Sequence, residues 1–233
     1  MRKMQGGNFI FIFFLIFMVY NSFRNGRFDD PGQWLINTLL ILPAIVIAIT
    51  FHEAAHAWSA YKLGDQTPKA QGRVTLNPLK HIDPIGIIVL IFVGFGWGKP
   101  VQVNPYAFKN NRRLSNLLVD VAGVTTNFII ALICTPLLFI VNDPIVQTII
   151  LNIVSINIVL MLFNLLPVPP LDGFGIITEI FDLRRFPWHR NLYQYGTFIL
   201  LALVIFGIVG IILGPGVNAI FRFLYNLWLP VFL

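Results

Sequence analysis

Charged residues are scarce in this sequence: Asp, Glu, Lys and Arg make up 11% of the 233 residues, and 57% are hydrophobic. A soluble domain has about 25% charged residues, because its surface must be solvated. Cysteine is nearly absent too. Cys134 stands alone, so no intramolecular disulfide can form, and its thiol is expected to pack as a small apolar group. These absences exclude a soluble or disulfide-stabilised domain and indicate a membrane protein.

Five stretches without an acidic or basic residue are long enough to cross a bilayer, which takes about 20 residues. They are residues 4–23, 31–52, 121–142, 144–171 and 191–221. A Gly-Pro-Gly break at residues 214–216 divides the last stretch into residues 192–213 and 217–233, because proline and glycine interrupt helices. The sequence therefore predicts an all-α polytopic membrane protein with about six transmembrane helices. No small-residue cleavage site follows the first stretch, so we expect a retained span.

The placement of the 16 basic residues predicts the orientation of these spans. Thirteen of them lie before the first span or in alternate connections, which belong on the cytoplasmic side by the positive-inside rule. Residues 24–30 and 142–143 are then outer connections, and both termini are cytoplasmic. Topology thus accounts for the net charge of +6. We expect the lipid bilayer of the plasma membrane as the surroundings and no nucleic-acid partner.

The most polar intervals, residues 62–83 and 98–113, leave no room for a soluble module such as a PDZ domain. Between them, residues 84–97 form an apolar run that is short for a span and has basic loops on both sides. We expect a re-entrant or interfacial segment there. Residues 101–103 alternate apolar and polar side chains, which predicts a short β-like strand that is able to pair with an extended substrate; a plain loop is the alternative.

The sharpest chemical signal is His52-Glu53-Ala54-Ala55-His56, at the end of a predicted apolar helix. Helical spacing places the two histidines on one face, where both imidazoles are able to bind one Zn²⁺ ion. Glu53 is then placed to reach a water on the open side of the metal. Ionisable side chains are costly in a membrane and usually functional, so metal binding is favoured over two surface histidines.

A catalytic zinc ion needs a third protein ligand and one free position. Asp172 is the best candidate. It follows residues 164–171, whose prolines prevent a regular helix, and it precedes Gly173, which permits a sharp turn. Such a break is able to aim the carboxylate inward. A helix stop followed by a solvated loop explains the same residues equally well.

Three motifs, in order along the chain, resemble those of the site-2 protease family of intramembrane zinc metalloproteases. The patterns HExxH, GxxxN and NxxPxPxxDG match residues 52–56, 123–127 and 164–173. Residues 98–105 are also similar to a segment common in compact bacterial members that lack a PDZ domain. The resemblance covers about residues 35–181. One departure is Val124, where many relatives have proline after the glycine of the middle motif.

The resemblance implies a metalloendopeptidase that hydrolyses peptide bonds of membrane-spanning protein substrates through a zinc-activated water, as in regulated intramembrane proteolysis. The implied zinc ligands and general base are His52, His56, Asp172 and Glu53. Asn127 is implied to be catalytic, and Asn127 and Asn164 to contact the scissile peptide or its developing oxyanion. Interhelical hydrogen bonds of the asparagines and small-residue packing at Gly123 explain these positions equally well.

Under this interpretation, residues 1–233 form one membrane domain with its active site toward the cytoplasm. Residues 1–30 add an N-terminal transmembrane helix, residues 33–181 form the catalytic core, and residues 190–233 form the C-terminal helices. Family members process membrane-tethered transcription regulators, anti-sigma factors or signal-peptide remnants. The residues favour none of these substrates and no oligomeric state.

The remaining ionisable residues are weaker candidates for the site, and two other functions fit the sequence less well. Asp120 is expected to pair with nearby arginines rather than to support a ligand histidine. His81 and His189 lie in basic loops, so we expect solvated side chains. A zinc transporter would need ligands along a pathway, yet the outer halves of the spans lack His, Asp and Glu. A non-catalytic escort of membrane proteins would not need Glu53.

Overall fold

The computed structural model describes residues 16–93 and 96–232. Residues 16–24 are helical, and the rest of the predicted first span, residues 4–15, lies outside the described residues. The helices that follow are α1 (Pro31–Lys62), α2 (Thr67–Ala70), α3 (Pro84–Val93), α4 (Arg112–Cys134), α5 (Leu137–Ile140), α6 (Pro144–Asn164), α7 (Asp172–Phe181), α8 (Pro187–Ile205) and α9 (Ile208–Phe232). Short 3₁₀ turns occupy Pro78–Lys80, Pro105–Ala107 and Leu183–Arg185.

In the part of the chain that the structure describes, four helical segments are long and apolar enough to cross a membrane. They are α1, α4 together with α5, α6, and α9. Within the described residues there is no β-strand, and the extended pairing is limited to one antiparallel bridge between Ile82 and Gly98. The prediction of an all-helical, multi-pass membrane protein is confirmed. The predicted β-like strand at residues 101–103 is a connecting loop instead, because the Val101 N–H donates to a side chain and not to a neighbouring strand.

The predicted helix break at residues 214–216 is wrong. The chain breaks at Phe206 and Gly207, where Gly207 has φ +70°, and Pro215 lies inside α9. A proline removes one backbone hydrogen bond, and membrane helices tolerate this loss where neighbouring helices pack against them. Such packing exists here, since a Cβ added at Gly216 would lie 3.2 Å from Cδ1 of Leu162 on α6. Gly216 therefore allows close helix packing, and the Gly-Pro-Gly segment does not end the helix.

Helix starts follow from local capping. The Asp30 carboxylate accepts a hydrogen bond from the Gln33 N–H, with Pro31 as the first residue of α1. Asp143 caps α6 in the same way, ahead of Pro144. In each case the aspartate accepts a hydrogen bond from an otherwise unpaired N–H of the first turn. The proline follows at the first helical position, where its missing N–H costs nothing.

The helices α1, α4 and α6 pack against one another and form the centre of the protein. Several residues on the contact side of α1 are small and fully buried, which brings the backbones close together: Ala44, Ala48, Ala57 and Ala60. A cluster formed by Ala131, Val154, Ile158 and Leu224 joins α4, α6 and α9. Helix α7 packs against α4. This arrangement brings Asp172, the first residue of α7, to His52 and His56 in the second half of α1.

The two ends of the segment that contains α3 meet, because Ile82 and Gly98 are paired. The returning chain lies close to α3, and a Cβ added at Gly86 would lie 3.1 Å from the indole of Trp97. At the far end of α3, the Arg27 guanidinium donates to the Ile91 carbonyl at 3.2 Å. The ring of Phe92 there contacts two aromatic rings from the start of the described chain, Phe28 and Trp34.

Candidate metal centre

The two histidines of the HExxH motif face each other inside the protein. His52 and His56 lie one turn apart on the uninterrupted helix α1, both are buried, and their Nε2 atoms are 3.0 Å apart. Asp172, far along the chain, is the first residue of α7, and its Oδ2 atom is 3.3 Å from each Nε2. The structure therefore brings together the three residues that the sequence indicated as metal ligands.

The turn between α6 and α7 aims Asp172 at the histidines. Helix α6 ends at Asn164, and the chain reverses through backbone hydrogen bonds from Val168 N–H to the Leu166 carbonyl and from Leu171 N–H to the Val168 carbonyl. Gly173 packs directly on this turn, since a Cβ there would lie 2.7 Å from the Leu166 oxygen. A larger residue would push α7 away from α6, so glycine is required for the position of the carboxylate.

The three ligand atoms fit a tetrahedral zinc ion. Two ligand atoms at the usual zinc distances are about 3.3 Å apart, and the three separations here are 3.0, 3.3 and 3.3 Å. The Oδ2 atom of Asp172 is buried and accepts no hydrogen bond within the described part of the chain. A buried carboxylate oxygen without a donor is costly unless a cation binds it. These groups could hold a metal ion, and two imidazoles with one carboxylate form a donor set typical of catalytic zinc.

Hydrogen bonds behind the imidazoles set which nitrogen faces the metal. The Nδ1 atom of His52 is 2.7 Å from the carbonyl oxygen of the Asn127 side chain, and that of His56 is 2.8 Å from the Val119 carbonyl. An oxygen acceptor requires the proton on Nδ1. Each Nε2 therefore presents a lone pair toward Asp172, which is the form that binds a metal ion.

Gly123 lets α4 approach the two imidazoles. A Cβ at this position would lie 2.6 Å from Cε1 of His52 and even closer to Nε2 of His56. A neighbour at such a distance must move. The glycine of the middle motif therefore makes room for the ligand side chains themselves.

Glu53 lies beside the metal ligands and is held on one side by a loop. Its Oε2 atom accepts the Val101 N–H at 3.0 Å and lies 3.7 Å from Nη2 of Arg73. Arg73 is only 4% exposed, and its guanidinium also donates to the carbonyls of Lys99 and Pro100. No sequence pattern indicates this role, because Arg73 resembles any other basic residue of a polar loop.

The expectation that His81 is a solvated loop residue is wrong. Its side chain is fully buried; Nε2 donates to the Thr75 carbonyl at 2.8 Å, and Nδ1 is 3.5 Å from Nη2 of Arg73. Burial lowers the pKa of His81, and the nearby guanidinium lowers it further, while the bond to Thr75 opposes the shift. His81 thus supports Arg73 as a neutral group. The loop folds back on itself, which local sequence does not indicate.

The two motif asparagines lie in different surroundings. Asn127 has no exposed surface: its Oδ1 faces His52, and its Nδ2 donates to Asn157 on α6 and to the Ala48 carbonyl. Asn164 donates from Nδ2 to the Leu160 carbonyl one turn earlier, and within the described residues its Oδ1 has no partner. Sequence reasoning missed Asn157, which belongs to none of the three motifs.

The remaining ionisable candidates lie near α7. Asp120 sits where α4 meets α7, and a Cβ added at Gly175 would lie 2.7 Å from its carboxyl carbon. The Nε2 atom of His189 is 3.2 Å from the Thr178 hydroxyl, and its ring stacks on Phe174. His189 is half-buried rather than fully solvated.

A buried site of two histidines and one aspartate, with a glutamate beside it and membrane-spanning helices around it, defines a membrane metallohydrolase. Comparisons with known proteins agree. A model of the family described as peptidase family M50 matches residues 142–207. The chain is 38% identical over 201 residues to "Putative zinc metalloprotease YwhC" of Bacillus subtilis, covering 80% of this chain and 91% of that protein.

More distant relatives carry similar names. The chain is 28% identical over 176 residues to "Putative zinc metalloprotease Rip2" of Mycolicibacterium smegmatis, covering 72% of this chain and 67% of that protein. It is 26% identical over 148 residues to the protein of that name from Mycobacterium tuberculosis, covering 60% and 56%. No solved structure matches the chain. The chain belongs to peptidase family M50, the site-2 protease family. The predictions of an intramembrane zinc metalloprotease and of a zinc cofactor are confirmed, and the transporter and escort alternatives are not favoured.

Proposed function

We propose that this chain hydrolyses peptide bonds of membrane-spanning protein segments at a zinc site made of His52, His56 and Asp172. The observation that carries the proposal is the triangle formed by the two Nε2 atoms and the Oδ2 of Asp172, which accepts no hydrogen bond within the described residues. Zinc, when bound there, supplies a Lewis acid that lowers the pKa of a bound water toward about 7 and polarises a carbonyl. The protein supplies the remaining steps.

Glu53 acts as the general base in this proposal. The Val101 N–H and Arg73 hold one of its oxygens, Oε2, which leaves Oε1 to take a proton from the attacking water. The same oxygen then delivers the proton to the leaving amine nitrogen as the peptide C–N bond breaks. A carboxylate anchored on one side loses less freedom when it reaches the reaction geometry.

Asn127 and Asn164 have separate roles in this proposal. Both polar atoms of the Asn127 amide form hydrogen bonds within the protein. Asn127 therefore orients His52 as a metal ligand and does not contact the substrate. The side-chain oxygen of Asn164, at the end of α6 and directly before the segment that leads to Asp172, accepts no hydrogen bond from the described residues. It is the better candidate to accept an N–H of the bound peptide.

The topology belongs to the proposal as well. We infer about six spans, with residues 84–97 as a re-entrant segment that enters and leaves on the side of the active site. The basic residues favour a cytoplasmic active site and cytoplasmic termini in the plasma membrane. Residues 1–233 then act as one membrane domain with the divisions predicted above. A membrane-spanning substrate must unwind locally before its carbonyl is accessible, because helical carbonyls are already hydrogen-bonded.

Cleavage of a reporter transmembrane segment tests the function. The purified wild type, reconstituted in lipid vesicles, should cut the reporter, and Glu53→Gln should lower the rate by about 10²–10⁴-fold, the usual contribution of a general base. Both proteins should bind one zinc ion, because Glu53 is not a ligand. Equal cleavage by the two proteins would remove the proposed mechanism.

A further inference from the structure

Asn157 on α6 is a fully buried polar residue at the centre of the protein, and the proposed chemistry does not use it. Its side chain has no exposed surface and is not next to any metal ligand in the sequence. Its Nδ2 donates to the Ile153 carbonyl at 2.8 Å, and its Oδ1 accepts from Nδ2 of Asn127, also at 2.8 Å. Burying two amides in a membrane core is costly unless the groups are needed.

The hydrogen bonds form a chain with one direction. The Ile153 carbonyl can only accept a hydrogen bond, so the NH₂ group of Asn157 faces it. The Oδ1 atom of Asn157 then points toward α4. That oxygen can only accept, so Asn127 presents Nδ2 to it and Oδ1 to His52. The chain ends on Nδ1 of His52, which must carry the proton.

The reverse orientation of Asn127 would defeat metal binding. Its Oδ1 would then face two oxygens, those of Asn157 and of the Ala48 carbonyl, and its NH₂ group would face Nδ1 of His52. The imidazole would carry its proton on Nε2, pointing at the Asp172 carboxylate where the metal should be. Without Asn157, only the Ala48 carbonyl at 3.2 Å opposes this arrangement.

We propose that Asn157 is a positioning residue of the metal site: it fixes the amide of Asn127 and, through it, the tautomer and orientation of His52 that bind zinc. This inference rests on the proposed zinc site. Residues that support a metal ligand from behind typically change metal affinity by about 10–100-fold when they are replaced. The same loss is expected for Asn157, although it lies one residue further from the metal.

Zinc affinity is the direct test, measured by competition with a chelator on the full-length protein in detergent. Asn157→Leu has a similar volume and no acceptor, so it should weaken zinc binding by about 10–100-fold. Asn157→Ser, which is smaller and too short to reach Asn127, should have the same effect if the leucine variant does not fold. Asn157→Asp keeps an acceptor for Asn127 and should bind zinc within a few-fold of the wild type.

Asn152 offers a matched control on the same helix. Its Nδ2 donates to the Leu40 carbonyl at 3.1 Å and so also joins α6 to α1, but it has no contact with the hydrogen-bond chain to His52. Asn152→Leu should leave zinc affinity unchanged. Cleavage gives a second measurement: saturating zinc should restore the rate of Asn157→Leu, because the variant loses metal occupancy and no contact with the substrate.

The outcomes separate the two proposals. If the wild type binds no zinc, or if His52→Ala binds it equally well, the proposed zinc site itself fails. If the wild type binds zinc and the leucine and serine variants bind it with the same affinity, the role of Asn157 is overturned while the zinc site stands. An equal loss in Asn157→Leu and Asn152→Leu would also overturn it, because it would reflect general helix packing.

Discussion

The guanidinium of Arg73 and the carboxylate of Glu53 form an ion pair, with Nη2 and Oε2 3.7 Å apart. The same guanidinium also donates to the carbonyls of Lys99 and Pro100, next to the Val101 N–H that binds Glu53. Arg73 therefore holds Glu53 twice, by charge and through the loop. These contacts explain how a charged residue with 4% exposure is accommodated in the loop.

Arg73→Met should lower the rate of reporter cleavage by up to about 100-fold, because the loop and the base lose their common anchor and a small misplacement of a catalytic group is costly. Arg73→Lys should not restore the rate, since an ammonium cannot bond two carbonyls and the carboxylate with the geometry of a guanidinium. Zinc content should stay at one ion per chain in both variants.

The exposed Lys80 in the same loop is the control for this prediction. Lys80→Met removes one positive charge without breaking a buried contact, so its cleavage rate should match the wild type. A loss of the same size in Lys80→Met would show that net charge, rather than the anchoring of Glu53, controls the rate.

Loss of a residue that hydrogen-bonds to a metal ligand typically weakens metal binding by about 10–100-fold. Asp172→Asn should weaken zinc binding by more than this, because it removes the charged ligand itself. Asp143→Asn is a suitable comparison at the start of α6. Asp143 is exposed, and asparagine caps helices as well as aspartate does. Chelator competition should separate the two variants, and similar affinities would contradict the assignment of Asp172 as a ligand.

Gly123→Ala should abolish or strongly reduce zinc binding, since its Cβ would overlap both imidazoles. Gly210→Ala makes the same substitution in α9, where a Cβ would meet nothing within 4 Å. That control should bind zinc normally and should be as stable as the wild type or slightly more so, because alanine favours helices over glycine. Normal zinc binding by Gly123→Ala would show that the helices separate more easily than the packing indicates.

His81 predicts a pH dependence of stability. Burial lowers its pKa in the folded protein below about 6.5, the value of a free histidine. Above that pH the imidazole is neutral in both states, whereas below it the unfolded chain gains a proton that the folded protein resists. Stability should therefore fall as the pH falls from about 7 toward 5.

His81→Gln should reduce this slope, because glutamine keeps a donor for the Thr75 carbonyl and does not titrate. Thermal unfolding of both proteins in detergent across this pH range gives the comparison. The difference between the pH–stability curves of the two proteins gives the contribution of His81 alone, because both proteins contain the ligand histidines. Parallel curves would mean that His81 does not account for the acid sensitivity.

Local physical chemistry accounts for what the sequence alone determined. Composition showed a membrane protein, since 57% hydrophobic residues in long uncharged runs have no other stable environment. Helical geometry placed His52 and His56 on one face, because a spacing of four residues always does so. The motif order then led to Asp172, although the residues around it allowed a plain helix stop equally well.

Only the tertiary structure decided the features that depend on contacts between distant segments. Pro215 lies inside α9, which packs on α6 at the neighbouring Gly216, and the helix break lies at Gly207 instead. Arg73, His81 and Asn157 gain their roles from neighbours far from them in sequence, and no local pattern specifies those neighbours. The pitch of one helix fixes the positions of His52 and His56. Asp172 and the residues that hydrogen-bond around the site reach the two histidines only after the helices have packed.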